Sequence, residues 1–373
     1  MDESGTDAKE TCVMKIGIIT FQRTNNYGAV LQCYALQETL KKLDYDVRVV
    51  DYYQPFIEKD NAIVNWIALK KNLRGLRSFI RFVVYNIRYR LRILYNFASF
   101  RKKYLRLTSK CSETNVPADF DAYVIGSDQL WTIEHTGGKL DPVYTASFEN
   151  GQKRIYAYAI SVNERTINAM DSVVLNKIVG KFRGISFREK KSANLIGEKT
   201  KRKCRCDIDP TLLAPVDCWD SLLNKRWRQK EYIALYQVRS YLNSAEIVKQ
   251  KTSNLARTLG VEIVDLSVYK YSPADFVSII KYSKCVVTSS FHGTAFSLIF
   301  GKPLWVFKLC DGHDERCVSL LQTVGAANCV VGLDDNLDLI PSMNYEVISS
   351  NIAALRDNSL SYLRQIKDEY SFL

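Results

Sequence analysis

The sequence predicts an α/β protein of two Rossmann-like domains facing a cleft, with a basic helical segment inserted in the first. Three observations lead there. Short apolar runs alternate with helix-length amphipathic stretches, the pattern of parallel sheets covered by helices. The alternation occurs twice, on either side of Asp209-Pro210-Thr211, and 373 residues exceed what one core comfortably holds. Polar clusters recur at the carboxyl ends of the apolar runs, where open α/β sheets bind ligands.

Residues 15–21, KIGIITF, read as a buried parallel strand, followed by the turn Arg23-Thr24-Asn25-Asn26-Tyr27-Gly28 and a helix over residues 29–43. One glycine makes this neither a dinucleotide fingerprint nor a phosphate loop. Asn25 and Asn26, with Tyr27 beside them, serve either to hold a phosphate or sugar hydroxyl or simply to cap the helix. A strand over 46–50 follows. Residues 121–126 form a strand ending in Ser127-Asp128-Gln129, and residues 155–160 one ending in Ser161. A short strand over 184–187 precedes Arg188, which either reaches into the cleft or pairs with Glu189. These boundaries give an N-terminal domain over 14–208, a C-terminal domain over 209–345 and a last helix within 346–373, expected to cross back onto the first domain.

Residues 1–13 are polar and partly acidic, unlike an export signal, and Met14 offers a second translation start. No apolar stretch reaches transmembrane length. Ten cysteines without CxxC spacing suggest reduced thiols and no metal site. The expected location is cytoplasmic.

The formal charge of +12 has one source. Residues 61–112 carry thirteen Lys and Arg and no Asp or Glu, leaving 39 basic against 40 acidic residues elsewhere. Leu69, Leu73, Leu76, Ile80, Val83, Ile87, Leu91, Leu94 and Ala98 recur at helical spacing. Lys70, Arg74, Arg77, Arg81, Arg88 and Arg92 lie alongside. Such a segment is either a core-packing helix with a basic solvated face or a contact for an anionic membrane surface, peripheral to the inner leaflet. It has no recognisable nucleic-acid motif, and no nucleic-acid partner is expected.

The second alternation centres on residues 288–303, TSSFHGTAFSLIFGKP, where the strand Cys285–Thr288 runs into a helix N-terminus. Free N–H groups there attract anions. Ser289, Ser290, Gly293 and Thr294 surround His292, which serves either proton transfer on an anionic substrate or capping and core packing.

Six stretches in order carry a resemblance: YGAVLQCYALQ at 27–37, GSDQLW at 126–131, YAIS at 158–161, SFRE at 186–189, DPTLL at 209–213 and SSFHGTAFSLIFGKP at 289–303. Together they resemble the polysaccharide pyruvyl transferase family. The resemblance implies a GT-B-like domain pair and transfer of pyruvate from phosphoenolpyruvate onto two sugar hydroxyls as a cyclic ketal, with no further cofactor. It implies a catalytic role for His292 and an anion contact for Arg188. Many members place an arginine two positions before the histidine, where this chain has Ser290. Arg239, Lys308 and Arg316 are the cations available to replace it.

The chemistry suits these positions. Imidazole titrates near neutral pH, a guanidinium grips carboxylate or phosphate in a fork, and the amides at Gly293 to Ala295 add neutral donors. Asp128 is placed to orient a sugar hydroxyl or His292. The expected function is thus a pyruvyl transferase acting on a lipid-linked or nucleotide-linked saccharide. A nucleotide-sugar glycosyltransferase of the same architecture, or an inactive membrane-surface scaffold of a glycan assembly complex, are the alternatives.

Overall fold

The computed structural model describes residues 13–60, 76–149, 151, 153–238, 243–310 and 314–371. They form two parallel-sheet α/β domains. The first sheet joins β1 (Lys15–Ile19), β2 (Asp46–Val49), β3 (Ala122–Asp128), β4 (Arg154–Ile160), β5 (Gly184–Phe187) and β6 (Arg205–Cys206) in the order β2-β1-β3-β4-β5-β6. The second joins β7 (Tyr232–Tyr236), β8 (Glu262–Asp265), β9 (Cys285–Thr288), β10 (Leu304–Phe307) and β11 (Val330–Val331) in the order β11-β10-β9-β7-β8. Every residue of β3 and β4 except Asp128 is buried, as in a parallel strand covered on both faces.

Helix α1 (Tyr27–Lys42) follows β1 and is the joint between the domains. It begins two residues earlier than the sequence suggests, because Asn26 caps it by accepting from Ala29 N, so Gly28 lies inside its first turn. Only Glu38, Lys41 and Lys42 of this helix escape burial. The Tyr27 ring stacks on Tyr269 at 4.9 Å and on Phe276 at 4.6 Å, and its hydroxyl donates to Tyr271 O at 3.0 Å. Burial of such a ring stabilises the joint by roughly 2–3 kcal/mol. Tyr34 donates to Cys218 O at 2.9 Å and packs against Trp219. One apolar core therefore runs from the first sheet into the second.

In the basic segment the structure shows one long helix, α2 (Leu76–Tyr104). Residues 61–75, including Trp66, Leu69, Lys70, Leu73 and Arg74, lie outside the described residues. The helix buries Ile93, Phe97 and Phe100 and leaves Leu91 45% exposed, with Ala98 also exposed. This corrects the stripe read from the sequence at Leu91 and Ala98. Phe97 meets Tyr27 at 5.3 Å and Phe100 meets Tyr34 at 6.2 Å, and these aromatic contacts turn the aliphatic spacing at 91 and 98 outward. No helix among the described residues is long and apolar enough to cross a membrane.

Three further helices position the site: α3 (Phe291–Ile299), α4 (Glu315–Val324) and α5 (Tyr345–Ser371). Asn351 on α5 donates to Val324 O at 3.2 Å. Further along, Arg356 donates to Leu212 O, Tyr362 to Ala157 O, and Tyr45 to Leu363 O. The last helix thus contacts both sheets and holds them together.

Candidate functional site

The carboxyl ends of β5 and β9 face each other across the joint, and three charged or titratable side chains meet there. Arg188 follows β5, Asp209 lies at the crossing between the domains, and His292 is in the first turn of α3. Arg188 Nη1 donates to Asp209 Oδ2 at 2.7 Å, and the same oxygen is 3.7 Å from His292 Nε2. The second distance is too long for a hydrogen bond and is an ion pair only when the imidazole is protonated. Asp209 Oδ1 accepts from Thr211 N at 2.9 Å and from its hydroxyl at 2.7 Å. Arg188 Nε donates to Glu189 Oε1 at 3.2 Å, and its guanidinium lies 4.5 Å over the Phe291 ring.

Burial alone would push the Asp209 carboxyl up, but His292, Arg188 and the Thr211 amide hold it well below the usual carboxylate range. Burial works equally against the charge of Arg188, and Glu189, Asp209 and Asp128 together raise it above its ordinary value. Arg188 is therefore a fixed cation with one unsatisfied corner: its Nη2 is buried without a hydrogen-bond partner, as are Glu189 Oε2, Ser289 Oγ and His292 Nε2. Native interiors rarely leave such atoms unpaired, and their presence around this junction makes it the candidate site.

Gly28 explains how the histidine fits. A Cβ on Gly28 would stand 2.0 Å from His292 Nδ1, so the imidazole lies directly on the α1 backbone. Gly28 thus makes room for His292 from within α1 and is not part of the turn assigned from the sequence. Gly293 plays the corresponding part in α3, since a Cβ there would meet Thr288 Oγ1 at 2.3 Å.

Three cavities line the cleft. The largest, about 640 Å³, is bordered by Asn25, Asn26, Asp128 and Gln129 with Phe21, Phe56 and His135. A cavity of about 150 Å³ touches Gln129, Ser161, Glu189 and Arg316. A third, about 390 Å³, touches Arg188, Asp209, Phe291 and Arg316. Gln129 borders the first two, and Glu189 and Arg316 the last two, so the cavities run in a row. Asp128 sits at φ +84°, a backbone conformation costly for a non-glycine residue and frequent at functional sites.

Other sequence candidates are placed differently. Tyr27 belongs to the interdomain core. Ser127 is fully buried and its hydroxyl donates to Ala159 O at 2.7 Å. Ser161 donates to Glu189 Oε1 at 2.8 Å, orienting that carboxylate. Ser290 is the N-cap of α3, accepting from Gly293 N, and buried Thr294 donates to Ser290 O. Lys308 is exposed and borders none of these cavities, and Arg239 lies outside the described residues. Sequence reasoning took Asp209 for a boundary and Glu189 for an alternative partner of Arg188. The signal for both was their position inside the DPTLL and SFRE stretches.

Fold and site define a two-domain α/β protein whose polar centre lies at the junction of its sheets. A sequence profile of polysaccharide pyruvyl transferases matches residues 26–310, and the chain belongs to that family of polysaccharide-modifying transferases. Among curated proteins no sequence matches it. Solved structures with a similar course include UDP-GlcNAc 2-epimerase from Methanocaldococcus jannaschii, at 12% identity and TM-score 0.49, with 96% of this chain and 100% of that one covered. The glycosyltransferase SnogD from Streptomyces nogalater aligns at 12% identity and TM-score 0.37, covering 96% and 99%. The heptosyltransferase WaaC from E. coli aligns at 10% identity and TM-score 0.40, covering 92% and 100%.

Two outcomes test this geometry. Gly28→Ala, although alanine favours helix by about 1 kcal/mol, must displace the imidazole. With three histidines in the chain, ring NMR resonances should show His292 shifted and His135 unmoved; an unshifted His292 would refute the close approach. Asp209→Asn should cost about 3–5 kcal/mol near neutral pH, measured by urea unfolding. The folded carboxyl binds its proton more weakly than the unfolded one, so its stabilisation is complete above about pH 4 and fades as pH falls further. The gap between wild type and variant should accordingly narrow below about pH 4.

Proposed function

We propose that the protein transfers pyruvate from phosphoenolpyruvate to two hydroxyls of a sugar in a surface-glycan precursor, forming a cyclic ketal. The observation that carries this reading is the Arg188–Asp209–His292 junction in a chain of this family. It supplies a fixed cation with a free donor and a histidine beside a carboxylate, the two needs of a reaction that binds an anion and moves a proton.

In the reaction a proton adds to the vinyl carbon, which becomes the methyl group. One sugar hydroxyl bonds to the neighbouring carbon, the C–O bond to phosphate breaks with its electrons on phosphate, and the second hydroxyl bonds in its place. Of the two hydroxyl protons lost, one balances the methyl hydrogen and the other leaves on phosphate. Arg188 Nη2 is the donor for the carboxylate. His292 carries the proton, and Asp209 is its positioning partner. His292 Nδ1 faces Gly28, and Asn26 and Ala29, two residues before it and one after, border the 640 Å³ cavity. That cavity suits the saccharide: Asn25, Asn26, Asp128 and Gln129 match hydroxyls, and Phe21 and Phe56 match the apolar face of a sugar ring. Because Nε2 is sealed from solvent, loading requires the starts of α1 and α3 to part.

The acceptor is a lipid-linked saccharide, and the protein works against the anionic inner leaflet. Helix α2 supports this location: Arg88, Leu91, Arg92, Tyr95 and Lys102 share its exposed face, with Tyr95 73% exposed. Each cation near such a surface contributes about 1 kcal/mol.

Purified protein given phosphoenolpyruvate and lipid-linked saccharides of its own pathway should release phosphate and add the mass of a pyruvyl ketal to the acceptor. His292→Ala should lower the rate about 10²–10⁴-fold without unfolding. Turnover of a nucleotide sugar in place of phosphoenolpyruvate would establish the glycosyltransferase alternative instead. For the membrane, Arg88→Gln with Arg92→Gln should weaken sedimentation with phosphatidylglycerol vesicles about 30-fold and leave neutral vesicles unaffected. Equal binding by variant and wild type would remove the leaflet from the account.

A further inference from the structure

Arg316, in the first turn of α4, has an unusual position for a guanidinium. It borders both the 150 Å³ and the 390 Å³ cavities, and Arg188 borders the second with it. Two cations thus share one space. Arg188 has carboxylate partners in Glu189 and Asp209. Arg316 has no hydrogen bond or ion pair among the described residues, although Glu189 and Asp128 lie within electrostatic reach. Asp314, which precedes α4, accepts from Leu309 N and Cys310 N with its carboxylate. Burial and the repulsion of Arg188 both push Arg316 below its ordinary value.

We propose that Arg316 is the second guanidinium of a phosphate-binding site, holding the phosphoryl group of the donor while Arg188 holds its carboxylate. Three features converge on a dianion. Arg188 Nη2 is buried and unpartnered, Arg316 has no hydrogen bond or ion pair among the described residues, and the α4 N-terminus adds N–H groups of the favourable sign. A divalent anion between the guanidiniums converts their repulsion into two attractions and satisfies the open donor. As the C–O bond breaks and charge collects on the departing phosphate, Arg316 is the group placed to stabilise it. The position also answers for Ser290, which is occupied in capping α3 and leaves no cation there. This assignment rests on phosphoenolpyruvate as donor, but the anion site is testable without turnover.

Inorganic phosphate, titrated against the full-length protein at constant ionic strength made up with chloride, is the probe. Isothermal titration and thermal unfolding should both show phosphate binding to the wild type. Arg316→Gln should retain the wild-type circular dichroism and lower phosphate affinity about tenfold or more. Arg316→Lys should recover part of it, whereas Lys308→Gln should bind as the wild type does. Equal phosphate affinity in Arg316→Gln and wild type, or no phosphate effect beyond that of chloride in the wild type, would overturn the assignment. Arg316-dependent phosphate binding in a protein inert toward phosphoenolpyruvate would uphold the anion site and overturn only the donor. In an active protein, Arg316→Gln should raise the KM for phosphoenolpyruvate and leave that for the saccharide unchanged.

Discussion

The buried carboxylate of Asp209 is the constraint on which the rest of the centre depends. A charge with no solvent contact is tolerated only when paired, and Asp209 is paired by Arg188 from the first domain and His292 from the second. The Thr211 amide and hydroxyl take its other oxygen, so its orientation is set by three directions at once. Removing any one partner strands the others in a low-dielectric place. The pairing that keeps the domains in register is therefore the same pairing that holds a cation and a histidine side by side.

Packing has to permit this electrostatic arrangement. Helix α1 can approach the start of α3 because Gly28 has no side chain, and the space so freed is filled by the imidazole. One residue earlier, Tyr27 enters an aromatic cluster with Tyr269, Phe276 and Phe97, which anchors the helix against the second domain and against α2. Adjacent positions thus do opposite work, one giving way to the histidine and the other locking the joint. Helix α5 closes the arrangement from outside by bonding to both domains. The cleft is bounded by these contacts; its 640 Å³ cavity lies at the start of α1 beside the end of β3, and the 150 Å³ cavity where the polar ends of β3, β4 and β5 face the first turn of α4.

Much of the fold was legible in the sequence because parallel strands buried on both faces are nearly continuous apolar runs. The strands at 184–187 and 285–288 fall where the apolar runs place them. Helix α2 shows the limit of that logic. Its aliphatic spacing selects a face that includes Leu91, but Phe97 and Phe100 find aromatic partners on α1, and those contacts determine the rotation. Periodicity reports that a helix has an apolar side; when two stripes compete, only the partner surface chooses between them.

The site divides in the same way. His292 at a strand-to-helix junction and Arg188 after a strand were visible from local pattern alone, because the sheet architecture sends such positions to the carboxyl edge. Ser127, Ser290 and Thr294 stand at the same edge, and nothing local distinguishes a hydroxyl that faces ligand from one that ties the backbone. Asp209 and Gly28 acquire their roles through residues about 80 and 260 positions away, which no window of sequence brings together. By itself the sequence determined two α/β domains and the chemical groups at their facing edges. Tertiary structure alone decided which groups meet, because burial, charge pairing and the absence of one Cβ are properties of the assembled interior.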